Sequence, residues 1–255
     1  MIITDTHTHL YSEAFDDDRV EMMQRTLDAN VSRLFIPAID STYTASMLQL
    51  EKDYPKNIFL MMGLHPTHVK ENYKEELAYV EEMLDKHKFY AVGEIGIDLY
   101  WDKSTLPIQQ NAFRHQIKLA KQYKLPIVIH CREAFDEIFD ILEEEKSDDL
   151  FGIFHCFTGT LEQAHQAISY NMKLGIGGVV TFKNGKIDQF LNEIELKYIV
   201  LETDSPYLAP KPFRGKRNES SYILKVVEKL SEIYNTSEEK IADITTANSK
   251  AVFGV

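Results

Sequence analysis

Along the chain, short runs dominated by Ile, Val, Leu and Phe alternate with longer stretches in which apolar residues recur every three or four positions. The short runs fall at 2–9, 33–39, 58–65, 90–98, 126–132, 151–157, 173–181 and 198–204, and their length and β-branched content predict strands. Helical spacing appears at Val20, Met23 and Leu27, at Leu77, Val80 and Leu84, and at Phe113, Ile117 and Ala120. It returns at Phe135, Ile138, Phe139 and Leu142, and at Ile187, Phe190, Leu191 and Ile194. A further helix is predicted over 222–234, and Thr236 with Glu239 forms a capping-box pattern that predicts the start of a last one. Strands that alternate with helices pair in parallel, because a parallel connection must cross back over the sheet. Eight such units in 255 residues predict an α/β fold, a (β/α)8 TIM barrel in which residues 1–255 form a single domain. A doubly wound open sheet is the competing architecture, but it gives no reason for the polar residues that end the strands.

Those strand ends change the picture. The opening run, IITDTHTHL at 2–10, puts Asp5, His7 and His9 on one parity, so a strand would project all three to one face. The fourth run carries Glu94, the fifth ends in His130, the sixth carries His155, and the eighth ends with Glu202 and Asp204. In a parallel barrel the C-terminal strand ends meet at one face, where the active sites of this fold lie. A lone His-x-His is more often a satisfied core pair than a metal site. Imidazoles and carboxylates converging from five strands instead fit divalent cations such as Mg²⁺, Mn²⁺ or Zn²⁺. Four histidines and two carboxylates are more ligands than one tetrahedral ion uses, and two ions sharing a carboxylate would employ them all. Paired ions clamp both oxygens of an in-line displacement and lower the pKa of water, so hydrolysis by a metal-activated water is the predicted chemistry. Cys131 and Cys156 have the opposite parity to His130 and His155, which predicts that they face outward as small apolar residues.

Composition sets bounds on this reading. At 44% hydrophobic the chain can fill a barrel core, and no segment approaches the ~18 uninterrupted apolar residues of a membrane span. The N-terminus lacks a basic region followed by a long apolar stretch, so a cytoplasmic protein without a signal peptide is expected. Two cysteines are too few for a disulfide framework. A net charge of −12 argues against a broad nucleic-acid coat.

The motifs, taken together, resemble the TatD family of metal-dependent deoxyribonucleases within the amidohydrolase-like barrel superfamily. They are DTHTHL at 5–10, GLHP at 63–66, GEIGID at 93–98, LPIVIHCREA at 125–134, HCFTG at 155–159, LETDSPYLAP at 201–210 and FRGKRNE at 213–219. The resemblance implies a dinuclear site in which His7, His9 and Asp204 hold one ion, His130 and His155 the other, and Glu94 bridges them. It also implies a Mg²⁺- or Mn²⁺-dependent nuclease, often a 3′→5′ exonuclease on single-stranded DNA. One departure is visible: the family commonly reads Asn-Glu-Pro where this chain has Asn218, Glu219 and Ser220, which bears on the start of the following helix.

The residues offer places for such a substrate. Lys211, Arg214, Lys216 and Arg217 follow the eighth strand with no intervening acid, and a local basic loop beside a metal pair can hold a polyanion on an acidic protein. An ordinary solvated loop is the plainer alternative. His65 ends the third strand and would reach a phosphate or stabilise the turn at Pro66, while Arg132 shares the parity of His130 and is the better phosphate ligand. Tyr100 and Trp101 would stack on an unpaired base or simply pack over the barrel rim. Glu202 is expected to orient a metal ligand or move a proton, Asp204 to accept a proton from the attacking water, and Asp5 to buttress His7 or His9. His115 is expected to face solvent.

Rival readings remain at this level. An amidohydrolase acting on an amide or ester, such as a D-aminoacyl-tRNA deacylase, is one, although many such barrels bridge their metals with a modified lysine where Glu94 stands. A PHP-type phosphoesterase and a metal-stabilised binding module are others; eight strands count against the first and six converging ligands against the second. DNA is the expected partner. No membrane association and no obligate protein partner are evident.

Overall fold

The β-branched runs do form parallel strands, most of them shorter than the sequence pattern. In the computed structural model, which describes residues 2–255, these are β1 (Ile3–Asp5), β2 (Val31–Pro37), β3 (Ile58–Met61) and β4 (Val92–Asp98). They continue with β5 (Ile127–Arg132), β6 (Gly152–Phe154), β7 (Met172–Ile176) and β8 (Ile199–Leu201). The helices are α1 (Arg19–Asp28), α2 (Thr44–Asp53), α3 (Tyr73–Lys86), α4 (Leu106–Tyr123), α5 (Phe135–Glu144), α6 (Leu161–Ser169), α7 (Ile223–Ile233) and α8 (Glu238–Phe253). β1 to β3 pair in chain order, and so do β4 to β8. Backbone hydrogen bonds close the two seams: the Tyr90, Met62 and Gly93 amides donate to the carbonyls of Leu60, Ala91 and Met62, and the Thr6 and Asp204 amides to those of Leu201 and His7. The result is a (β/α)8 barrel.

Inward-pointing side chains fill its lower half. Phe35, Met61, Val128, Ile153 and Val200 cluster there with Val252 and Phe253 of α8, and Phe253 stacks on Phe35 with ring centroids 3.7 Å apart. The last helix thus plugs the barrel floor. Because strand side chains alternate, the residues two positions after Val128, Ile153 and Val200 also point inward, one layer higher. They are His130, His155 and Glu202. Apolar burial below therefore dictates which polar side chains converge above.

Four expectations are corrected. The run 173–181 is a strand only to Ile176, because the chain turns at Gly177 into a 3-10 turn at Gly178–Thr181. The helical spacing at 187–194 yields 3-10 turns at Ile187–Gln189 and Leu191–Glu193 rather than an α-helix; the Tyr234 hydroxyl caps the carbonyls of Leu191 and Ile194 at 2.7 and 2.9 Å. The last helix is capped by Ser237, whose hydroxyl accepts the Lys240 amide, one residue beyond the predicted Thr236. His115 is half-buried with its Nε2 out of solvent, since α4 packs against α3 and α5 as well as β4. Ser220 lies in a 3-10 turn leading into α7, and Asn218 ties this segment down by donating to the carbonyls of Thr203 and Tyr207 at 2.8 and 2.7 Å.

Candidate metal centre

Glu94 sits at a bulge. The pairing of β4 with β5 slips between Gly93 and Ile95, and a bulge re-aims a side chain that regular alternation would place elsewhere. The close approach of the two strands requires Gly96, with φ at +141° and a would-be Cβ 2.1 Å from the His130 carbonyl. Glu94 itself is buried at the centre of the barrel mouth. Its Oε2 lies 3.0 Å from His7 Nε2 and 3.8 Å from His9 Nε2. Its Oε1 lies 2.6 Å from His130 Nδ1, 3.3 Å from His65 Nε2 and 3.6 Å from His155 Nε2. Asp204 Oδ1 completes the first group at 3.5 Å from His9 and stands 3.9 Å from both His7 and His155.

This donor set fits cations. The Nε2 atoms of His7 and His9 face each other at 3.3 Å, and two imidazole lone pairs converge in this way only around a proton or a metal. The tautomer of His9 is fixed: its Nδ1–H donates to the Tyr11 hydroxyl at 3.0 Å, which in turn donates to the Pro37 carbonyl at 3.0 Å. That leaves the His9 Nε2 lone pair aimed at the site. Three nearly inaccessible carboxyl groups, Glu94, Asp98 and Glu202, lie within the same few ångströms, and such charge is costly to bury without a cation. His65 differs. Its Nδ1 accepts the Thr67 amide at 3.1 Å, so its Nε2 carries the proton and donates to Glu94.

The buried charges set the protonation of these groups when no cation is bound. Burial and the neighbouring His155 push the His7 imidazole down to about 3. Burial also opposes charge on His155, yet Glu202 and Glu94 outweigh it and raise that imidazole to about 10. Asp98 and Glu94 overcome burial in the same way to raise His130 to about 9. Burial favours neutral Glu94, but the ring of histidines from His65 to His130 holds it well below the usual carboxylate range. Positive charge collects where the geometry has room for metal.

A profile of the family described as TatD related DNase matches residues 4–254. The chain belongs to the TatD family. It is 40% identical over 255 residues to the metal-dependent hydrolase YabD of Bacillus subtilis, covering all of both chains. It is 30% identical over 261 residues to the metal-dependent hydrolase TatD of Mycobacterium tuberculosis, covering 99% of this chain and 98% of that one. The crystal structure of the Escherichia coli TatD homologue YjjV superposes with a TM-score of 0.93 at 30% identity, covering 99% and 98% of the two chains.

In this TatD-family barrel the supporting residues are as telling as the ligands. Asp98 Oδ2 lies 2.9 Å from His130 Nε2; Asp98 ends β4 on the parity of Glu94, but its pairing with His130 is invisible to the strand-end pattern. Tyr11 is likewise invisible to that pattern. Glu202, expected to orient or to move a proton, is wholly buried with Oε2 3.1 Å from His155 Nδ1 and Oε1 accepting the Cys156 amide at 2.8 Å. Both its oxygens are thus engaged, by His155 and the Cys156 amide. Asp5 accepts from the His7 amide at 3.3 Å and from the Thr203 amide and hydroxyl at 3.0 and 2.6 Å. It therefore buttresses the backbone of His7, not its ring.

A cavity of about 600 Å³ opens above the centre, bordered by His65, Trp101, Arg132, Tyr207 and Leu208. The Arg132 guanidinium lies 3.7 Å from the centre of the Tyr100 ring and 5.6 Å from that of Trp101, and both rings are exposed. Arg217 does not reach the cavity: Asp18 grips its guanidinium in a bidentate pair at 2.6 and 2.8 Å. Arg214 and Lys216 do not border it, and Arg214 lies 3.7 Å over the Phe182 ring. Cys131 packs on the outward layer as expected, but both cysteines also border the cavity. For Cys156 the parity argument fails because β6 ends at Phe154 and Cys156 has φ of 45°.

Proposed function

We propose that this TatD-family chain is a divalent-metal-dependent hydrolase of phosphodiester bonds, acting as a 3′→5′ exonuclease on single-stranded DNA. The observation that carries it is Glu94, whose two oxygens face two separate imidazole groups, the arrangement a carboxylate shared by two ions needs. His7, His9 and Asp204 would hold one ion and His130 and His155 the other. Bound ions supply a neutral-pH nucleophile from water and neutralise the phosphate.

The chain's own groups do the rest. Tyr11 and Glu202 hold His9 and His155 in the tautomers that leave Nε2 free. Asp204, at the cavity wall, accepts the proton released as water attacks. With Glu94 given over to the ions, the His65 Nε2–H that it otherwise accepts would be free to donate to the phosphate oxygens, as does the Arg132 guanidinium with the planar fork suited to them. Tyr100 and Trp101 present exposed faces on which an unpaired base stacks, and a paired base has no free face to offer. The polarity and the DNA preference rest on the family resemblance.

Hydrolysis of a single-stranded oligonucleotide labelled at either end, with Mg²⁺, Mn²⁺ or Zn²⁺ added after chelation, tests this reading. Glu94→Ala protein runs alongside. A metal-dependent ladder lost in the variant is expected, shortening from the 3′ end. No cleavage by a protein that binds two ions would refute it and favour ester substrates, with D-aminoacyl-tRNA tested next.

A further inference from the structure

A second hollow, of about 700 Å³, adjoins the metal cavity and shares Thr158 and Val179 with it. Its walls come from the segments that follow β5, β6 and β7; Phe135 and Phe190 are half-buried in them, and Phe182 is buried with Arg214 over its ring. Lys186 lines the hollow, Lys183 lies in the same segment after β7, and Lys211, Arg214 and Lys216 lie in the segment after β8, all exposed. The two segments are joined: the Lys211 amide donates to the Thr181 hydroxyl at 3.0 Å, and Arg214 lies on Phe182. Among the described residues none of these five cations has a carboxylate within 4 Å, whereas Arg217 in the same loop is fully paired with Asp18. On a chain of net charge −12, five unpaired cations on two joined segments are not a general property of the surface. Glu162 is the one acid among the lining residues.

Resting on the nuclease reading, we propose that this groove binds the part of a single-stranded polynucleotide that extends away from the scissile phosphate. Its bases lie against the aromatic wall and its phosphates against Lys183, Lys186 and Arg214. Single-strand channels combine stacking faces with a cationic track in this way. The groove begins where the metal cavity ends, so a nucleotide bound at the metals has its neighbours led straight into it. The enzyme thereby grips several nucleotides while cutting one.

The test is the affinity of phosphorothioate oligothymidylates of two to eight nucleotides, followed by fluorescence anisotropy with Mg²⁺ present. Wild-type protein is compared with Lys183→Gln/Lys186→Gln, two exposed positions that leave the core untouched. Wild-type affinity is expected to climb with length to about five nucleotides, and the variant to lose at least about fivefold of that gain. Its dependence of log affinity on log salt should be shallower by about 1.4, at ~0.7 per phosphate contact on single strands. Unchanged length and salt dependence in the variant would overturn the groove while leaving the nuclease intact. Failure of the wild type to bind or cut any oligonucleotide would overturn the nuclease reading first, and the groove with it.

Discussion

Asp98 places one carboxylate oxygen 2.9 Å from His130 Nε2 and offers the other to the backbone amides of Tyr100 and Trp101 at 3.0 and 3.3 Å. One side chain therefore holds a proposed metal ligand and the exposed aromatic rim together. Gln109 of α4 fixes Asp98 in turn by bonding both its amide and its carbonyl, at 2.8 and 3.1 Å.

Asp98→Asn keeps the shape and an acceptor for the two amides, but an amide nitrogen cannot accept the His130 proton. Loss of such a supporting carboxylate is expected to weaken metal binding about 10–100-fold. Isothermal titration with Mn²⁺ measures it. Trp101 is the only tryptophan, so its emission reports the rim directly. Metal addition should shift that emission in the wild type and not in the variant; equal shifts would show the two ends of Asp98 to be uncoupled.

How much of this could be read from the sequence depends on the distance over which alternation holds. In β5 it carries from Val128 through His130 to Arg132, and all three point where parity places them. In β6 the strand lasts three residues, so Cys156 escapes the rule two positions later. Asp98 was within reach of the same argument, being four residues after Glu94 on one strand. Arg217 was not. Its partner Asp18 lies 199 residues away, and only the closed barrel brings the two loops together. Helical spacing at 187–194 misled because apolar residues three and four apart also suit the successive 3-10 turns that this segment adopts.

Metal removal should destabilise the fold, because the ligands join β1, β4, β5, β6 and the segment after β8 around one point. A ligand at a hundred times its Kd stabilises by about 2.7 kcal/mol. Chelation is expected to lower Tm, and Glu94→Gln, which gives up one shared oxygen, to abolish most of that response. Differential scanning calorimetry with and without Mn²⁺ decides it; a metal-insensitive wild-type Tm would argue against a built site.

The Arg25–Glu219 pair predicts a pH dependence away from the metals. Arg25 donates to both Glu219 oxygens, with N–O distances of 2.7 to 3.2 Å, and the carboxylate is nearly inaccessible. Burial would raise Glu219, yet the Arg25 hydrogen bonds hold it below its ordinary 4.5. A carboxyl depressed in the folded state contributes stability above its unfolded pKa and loses it as pH falls through the folded value. Arg25→Ala should therefore cost about 2 kcal/mol at pH 7. The gap to wild type should narrow as pH drops below 4.5, as urea denaturation at pH 7 and pH 3.5 would show.

Gly175 offers the sharpest test of how the second half of the centre is supported. It lies in β7, where a Cβ would fall 2.2 Å from Glu202 Oε2, so the absence of a side chain is what lets the buried Glu202 reach His155. Gly175→Ala forces that carboxylate aside while leaving every proposed metal ligand in place. Affinity at the His155 site should then fall about 10–100-fold, as for other supporting groups, while the His7 and His9 site, held by Tyr11 instead, keeps its own. If the proposed centre takes two ions, titration with Mn²⁺ should accordingly show one site weakened relative to the wild type and the other unchanged. Equal loss at both sites would mean that Glu202 supports the whole centre; no loss would mean that His155 is held by something other than Glu202.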